Sequence, residues 1–380
     1  MSFKPECLGS VVTLLLFYSQ ASYAAPEPTQ TCPADQVISK TFTSGATWTM
    51  CAQLQAAEGL TFTQVYYAAP NKPARRVLAE ASLSQLELVS DSAATASYIV
   101  TQQGLGNKLL ALSSNDCSNG AIKRLGQLDA LCRTTQEYGY QYKYATQRQG
   151  SYLELSTRYD LSPLALNLRW RFYENGIIEP ALGISGQLVK NSNKVFDNFT
   201  SHTAWRLDFD LGSTGSDDQI LEVTSTPAED RLTKVVTIRG INREAGRLQD
   251  PEVKRLWVVR DGSTPYEGVS VPAYDIVPSQ YNSSRLNALN EPWLKQDIYF
   301  SKYNPCERYA AKNVIDNCPK KIDNLARYIG NRESINGADS VVWYRQTTHH
   351  LTRSDDNLRL STLWSSFQLV PRDWHSQNQF

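Results

Sequence analysis

The chain has 380 residues, and its 38 Lys plus Arg balance 38 Asp plus Glu, so no net field draws it to nucleic acid or an anionic membrane surface. Apolar residues at 41% and aromatics at 10% supply a sizeable core and exclude a disordered chain. The length suits one large β domain or two ordinary ones.

Residues 1–24 join Lys4, an apolar run from Val11 to Phe17 and the small residues Ser22 and Ala24, which is the pattern of a cleavable secretory signal. That run is far shorter than the roughly 20 residues that cross a bilayer, and no later segment comes close. Export is therefore expected, to the periplasm or the outside, without membrane insertion. Residues 25–44 read as an N-terminal linker and 45–380 as the folded domain. Cys7 lies in the signal. Cys32, Cys51, Cys117, Cys132, Cys306 and Cys318 remain, an even set that in an exported chain suggests up to three disulfides of open connectivity. No C-x-x-C or Cys/His pairing of zinc type occurs. Asn198 and Asn282 head glycosylation sequons.

Short segments rich in β-branched and aromatic residues then follow one another at 60–68, 76–89, 138–144, 152–159 and 164–172. Later candidates stand at 205–211, 234–239, 255–259, 341–344 and 367–370, with Gly, Pro, Asn and Ser between them. One short helix is expected at 284–290, and no long helical period appears. The fold class is mainly β, a large antiparallel β-sandwich. Hydrolase, phosphate-loop and zinc-protease motifs are absent. His202, His349, His350 and His375 are the only imidazoles available to ligate a transition metal.

The stretch from Ala338 to Asp356, which contains Asp339, Trp343 and the His349-His350 pair and is followed by Trp364 and residues 367–371, resembles the closing segment of copper amine oxidases. The likeness continues backward through 293–309, through 170–188 with its Tyr-Glu-Asn-Gly-Ile-Ile, and through Gly104-Leu-Gly106 to Cys117. It implies a homodimeric sandwich that oxidises primary amines to aldehydes, releasing ammonia and hydrogen peroxide. It also implies copper, and topaquinone made from one of the protein's own tyrosines. In that chemistry the quinone forms a Schiff base, an Asp removes the α-proton, and three neutral imidazoles hold the metal.

Carried over residue by residue, the resemblance meets several departures. The quinone precursor should precede Trp170 by six residues, which is Leu164, and leucine cannot become a quinone. Tyr159 is the nearest alternative, five residues earlier, an offset that inverts the side chain unless a bulge intervenes. The base position falls on Ile99, and the nearest substitute, Asp91, reads as a solvated loop carboxylate. The first two copper histidines fall on Phe199 and Ser201, the third on His350. His202 is one residue off and would need a bulge to join His350, while His349 points away on a regular strand.

A calcium-type site of the family maps onto Asp208, the carbonyl of Phe209, Asp210, Asp339 and the carbonyl of Ser340, a donor set suited to a hard cation. The alternative is a solvated strand face. The resemblance also pairs Cys117 with Cys132, and spacing then suggests Cys306 with Cys318 and Cys32 with Cys51. The expected function is a secreted family domain that is catalytically degenerate and serves a binding or structural role; the alternative is an active copper and topaquinone amine oxidase.

Overall fold

The computed structural model describes residues 31–91, 96–187, 198–212, 217–229, 232–262, 271–278, 291–353, 356 and 359–374. The expected signal, the sequon at Asn282, the short helix at 284–290 and His375 lie outside the described residues.

In chain order the described strands begin with β1 (Val37–Thr41), β2 (Thr47–Gln55), β3 (Gly59–Ala68), β4 (Arg75–Ser90), β5 (Ser97–Tyr98), β6 (Ala121–Leu125) and β7 (Leu128–Lys143). Next come β8 (Gln147–Leu161), β9 (Leu164–Tyr173), β10 (Ile178–Gln187), β11 (Phe199–Gly212), β12 (Gln219–Pro227) and β13 (Lys234–Gly240). The last are β14 (Ala245–Arg247), β15 (Leu256–Arg260), β16 (Ala273–Pro278), β17 (Ile298–Lys302), β18 (Ser340–His350) and β19 (Arg359–Arg372). A single α-helical turn, Leu325–Tyr328, stands among them, and no helix of the described residues is long and apolar enough to cross a membrane.

Two antiparallel sheets result. One has nine strands, ordered β1-β2-β3-β4-β11-β18-β17-β14 with β5 also on β4. The other has ten, ordered β13-β12-β15-β16-β19-β10-β9-β8-β7-β6. β1 lies inside the stretch read as linker and pairs with β2, so the sheet starts earlier than the sequence suggested.

The sheets pack face to face because each strand alternates. Along β9, Leu166, Leu168, Trp170 and Phe172 are buried while Asn167, Arg169 and Arg171 turn outward. Their inward rings meet those of the opposing sheet. Trp170 packs edge-on against Phe62 of β3 at 5.5 Å and Trp205 of β11 at 5.4 Å, and Tyr344 of β18 meets Phe367 of β19 at 4.3 Å. β11 departs from the alternating pattern and is buried along nearly its whole length. The reason is a second, smaller apolar cluster on its other face, where Trp293, Leu294, Tyr299, Leu325 and Tyr328 close over Ala204 and Trp343.

Three disulfides staple loops and strand ends: Cys32 to Cys51, Cys117 to Cys132 and Cys306 to Cys318, with Cα separations of 6.2, 5.4 and 5.6 Å. The Gly104-Leu-Gly106 segment also has a physical reason. Gly104 sits at φ +72°, and a Cβ on Gly106 would stand 2.0 Å from the Gln55 carbonyl oxygen.

Truncation of Trp170, which is fully buried between the sheets, should be among the costliest single changes. Trp170→Ala is expected to lower stability by about 3–5 kcal/mol, read as a shift in the denaturant midpoint at unchanged slope.

Candidate functional site

The centre of the nine-stranded sheet is the pair β11 and β18. Phe199 faces His350, Ser201 faces Thr348, His202 faces Thr347 and Asp208 faces Val341, with no shift in register over that length. A bulge does occur beside this strand, but it lies on β4. Ala204 pairs with Gln85 and Trp205 with Leu83, so the extra residue is Ser84. β11 therefore keeps strict alternation from 199 to 208. Phe199, Trp205, Leu207 and Phe209 belong to the core between the sheets, and His202, Ala204, Arg206 and Asp208 alternate with them on the other face.

The bulge that would bring His202 into line with His350 is thus not present, and the two imidazoles lie on opposite faces of the sheet. His350 is buried on the inner face with its ring 5.3 Å from that of Phe199. Its Nε2 lies 3.3 Å from an oxygen of Asp356. Burial lowers the His350 pKa, and Asp356 opposes that shift. Phe199 occupies the position matched to the first copper histidine and fills the space directly across from the third. Ser201, at the second, is buried on the same side, and His349 is exposed.

His202 is built into a different network. Its Nδ1 and the Thr347 hydroxyl are 2.9 Å apart, and Arg345 donates to that hydroxyl at 2.7 Å and to Asp297 at 2.6 Å. All four residues are buried beneath the second apolar cluster. A buried ion pair linked to a histidine in this way holds β17, β18 and β11 together.

Leu164 opens β9 and pairs with Leu161 across the Ser162-Pro163 turn, while Tyr159 lies on β8 opposite Leu166. The expectation that a bulge could exchange Tyr159 for Leu164 is corrected by this reversal: the two residues are on adjacent strands, not on one. Tyr159 is fully buried, and its hydroxyl accepts from the Leu60 N–H at 2.9 Å and from Thr157 at 3.0 Å. Gly59 makes room for it, since a Cβ there would stand 2.5 Å from the hydroxyl. Burial pushes the Tyr159 pKa up to about 12. Ile99 is buried at the start of a π-helical turn, Ile99–Gln103, among core side chains, and Asp91 is exposed.

The carboxylates at the far end of β11 do come together. Arg206 donates to Asp208 at 3.1 Å and to Glu80 at 3.1 Å, and Arg76 pairs with Asp210. Asp339, at the entry to β18, is half-buried beside them. Burial, and then the charges of Asp208 and Asp210, push the Asp339 pKa up to about 7. Asp210 rises to about 6, again from burial first, with Arg76 opposing. The sequence reading missed Asp218, which is fully buried within the same group and carries a pKa raised by burial and by its acidic neighbours. Its signal was present as an Asp-Asp pair directly ahead of β12, whose Ile220 and Leu221 follow Gln219. Among the described residues no three His, Cys, Asp or Glu side chains stand ready-made as a metal site.

A sequence model of the copper amine oxidase enzyme domain matches residues 138–380, well over half the chain. The chain belongs to the copper amine oxidase family. Solved structures of similar fold include a copper-containing benzylamine oxidase from Hansenula polymorpha, at TM-score 0.74 and 15% identity over 90% of this chain and 61% of that one. An amine oxidase from Aspergillus nidulans gives TM-score 0.71 and 17% identity over 98% and 56%, and the lysyl oxidase of Pichia pastoris gives 0.67 and 15% over 86% and 51%. The chain thus spans about half to three fifths of the length of these oxidases. No curated protein matches its sequence. Within this copper amine oxidase domain, β11 and β18 place His350, Phe199 and Ser201 side by side on the inner face, and His202 behind them.

The buried Asp297–Arg345 pair beneath His202 gives a quantitative check. Asp297→Ala should cost about 3–5 kcal/mol by leaving the guanidinium unpaired, whereas Asp297→Leu with Arg345→Met should cost less than the sum of its parts. Denaturant unfolding of the single and double variants measures the coupling.

Proposed function

We propose that this copper amine oxidase domain is catalytically degenerate and serves a binding or structural role outside the cytoplasm. The observation that carries the reading is the Phe199–His350 pair: where the family places a copper histidine, a phenyl ring packs against the remaining imidazole. With Ser201 beside it and His202 on the opposite face, the donors do not fit copper, for which neutral imidazoles are the suited ligands. Leu164 at the quinone position and Ile99 at the base position agree with that reading. Tyr159, held by Leu60 and Thr157 in the core, serves packing.

The six bonded cysteines support export, since disulfides persist in oxidising compartments. A homodimer follows from the family. The carboxylates around Asp208 suit a calcium-type ion. Asp208 and Asp210 each present one buried oxygen without a hydrogen-bond partner, an arrangement that a hard cation would relieve. Phe209 and Ser340 would add carbonyl oxygens.

Two outcomes are expected of the purified protein. Amine-dependent hydrogen peroxide release should be absent after copper is supplied under oxygen, and redox-cycling staining of the denatured chain should reveal no bound quinone. Leu164→Tyr or Ile99→Asp alone should leave both assays negative, because each supplies one part of a chemistry that needs all of them together. Peroxide release together with a quinone mapped to a Tyr159 peptide would instead establish an active oxidase. Separately, calcium at a hundredfold excess over its dissociation constant should stabilise the fold by roughly 2.7 kcal/mol, a rise in melting temperature that Asp208→Ala abolishes.

A further inference from the structure

Asp218 is absent from the five donors that the family resemblance assigns, yet it is built into the same place. Its backbone forms a bridge with Ala338, and its carbonyl accepts the Gly337 N–H at 3.0 Å. Its Oδ2 faces the Ser340 N–H at 3.4 Å. The residue is therefore pinned, through main chain and side chain, to the segment 337–340 that carries Asp339. It has no exposed surface, and its Oδ1 has no hydrogen-bond partner. The same holds for one oxygen each of Asp208 and Asp210, which are 4% and 5% exposed. Buried acceptors left unbonded in one neighbourhood are costly, and natural folds keep them rare.

Charge gives a second, separate line. Asp208, Asp210, Asp218 and Asp339 share two guanidiniums, those of Arg206 and Arg76, and each guanidinium engages one carboxylate of the group. Arg206 is shared with Glu80 as well, so carboxylates outnumber guanidiniums here, an excess that a divalent ion offsets. Donor count points the same way. Two carbonyls and three carboxylates fall short of the roughly six to eight oxygens that calcium takes, and a fourth carboxylate brings the set into range.

We infer that Asp218 is a further ligand of a calcium-type cation bound by this cluster. The inference rests on the cation reading given under the proposed function. Arg206 and Arg76 hold one oxygen each of Asp208 and Asp210, and the ion gathers the other with Asp218 and Asp339 by side-chain rotation. The competing account of a buried, unbonded carboxylate is a neutral acid that needs no metal. An asparagine side chain in place of Asp218 mimics that neutral acid in shape, so one substitution separates the two.

The test uses the full chain stripped with a chelator and titrated with calcium by calorimetry, with terbium luminescence as a second readout. Asp218→Asn should weaken binding on the order of tenfold or more, as expected for the loss of one charged ligand. Its melting temperature in chelator should equal or exceed that of the unaltered chain, which shows that the fold is intact. Asp218→Glu keeps the charge and should retain the ion, and it serves as the second variant if the amide form does not fold. If the unaltered chain binds calcium and Asp218→Asn binds it equally well, the assignment of Asp218 falls while the parent site stands. If the unaltered chain takes up neither ion, both fall.

Discussion

The unshifted register between β11 and β18 governs most of what can be said about this molecule. Side chains on a strand alternate with a period of two, so once Phe199 is opposite His350 the side of every other residue on the pair is determined. Phe199 and His350 look into the core, and His202 with Thr347 looks the other way. Asp208 and Asp210 then emerge on the outer side next to Arg206, at the end of the strand where β18 begins with Asp339 and Ser340. Slipping the register by one residue would exchange these sets and place Arg206 and Asp208 between the sheets, which the apolar core would oppose. The bulge at Ser84 on β4 is tolerated because its extra residue sits beside this pair and not within it.

Legibility followed periodicity. Strands whose sequences alternate cleanly or run in β-branched and aromatic residues, such as β3, β4, β9 and β13, were read close to their observed bounds, whereas β18, expected at 341–344, runs on to His350. β10 escaped notice because Pro180 and the glycines at 183 and 186 argue against a central strand, yet it lies between β9 and β19 with Pro180 opposite Trp170. β12 and β17 are short or mixed in polarity and give no period of their own. The start of β11 was also missed, since Thr200, Ser201 and Thr203 are polar. Ser201 and Thr203 are buried on the inner face with Phe199, and Thr200 on the other, by elements distant in the chain, a tertiary fact that no local window contains.

For the site, sequence spacing could name positions but not partners. Through the resemblance it assigned family positions to Leu164, Ile99, Phe199 and His350. It left His202 open, because whether a strand bulges depends on its neighbours. It also treated Tyr159 as a misplaced version of position 164, although the Ser162-Pro163 turn between them puts the two on separate strands. Asp218 was passed over because its role depends on the bridge to Ala338, which is 120 residues away in the chain and adjacent in space.

On the proposed reading, the apolar positions near the core and the carboxylates at the end of β11 answer burial in opposite ways. Phe199, Leu164 and Ile99 are all apolar and all pack into or against the main core. A buried imidazole, phenol or carboxylate without its partners costs roughly 1–3 kcal/mol as an unsatisfied group, so apolar residues at these places stabilise the sandwich. The carboxylates show no such relief. Asp208, Asp210 and Asp218 are buried and ionisable, with pKa values driven upward by that burial, although an amide at Asp218 would relieve its share of the cost. Carboxylates held at that cost beside an apolar core accord with the proposed cation.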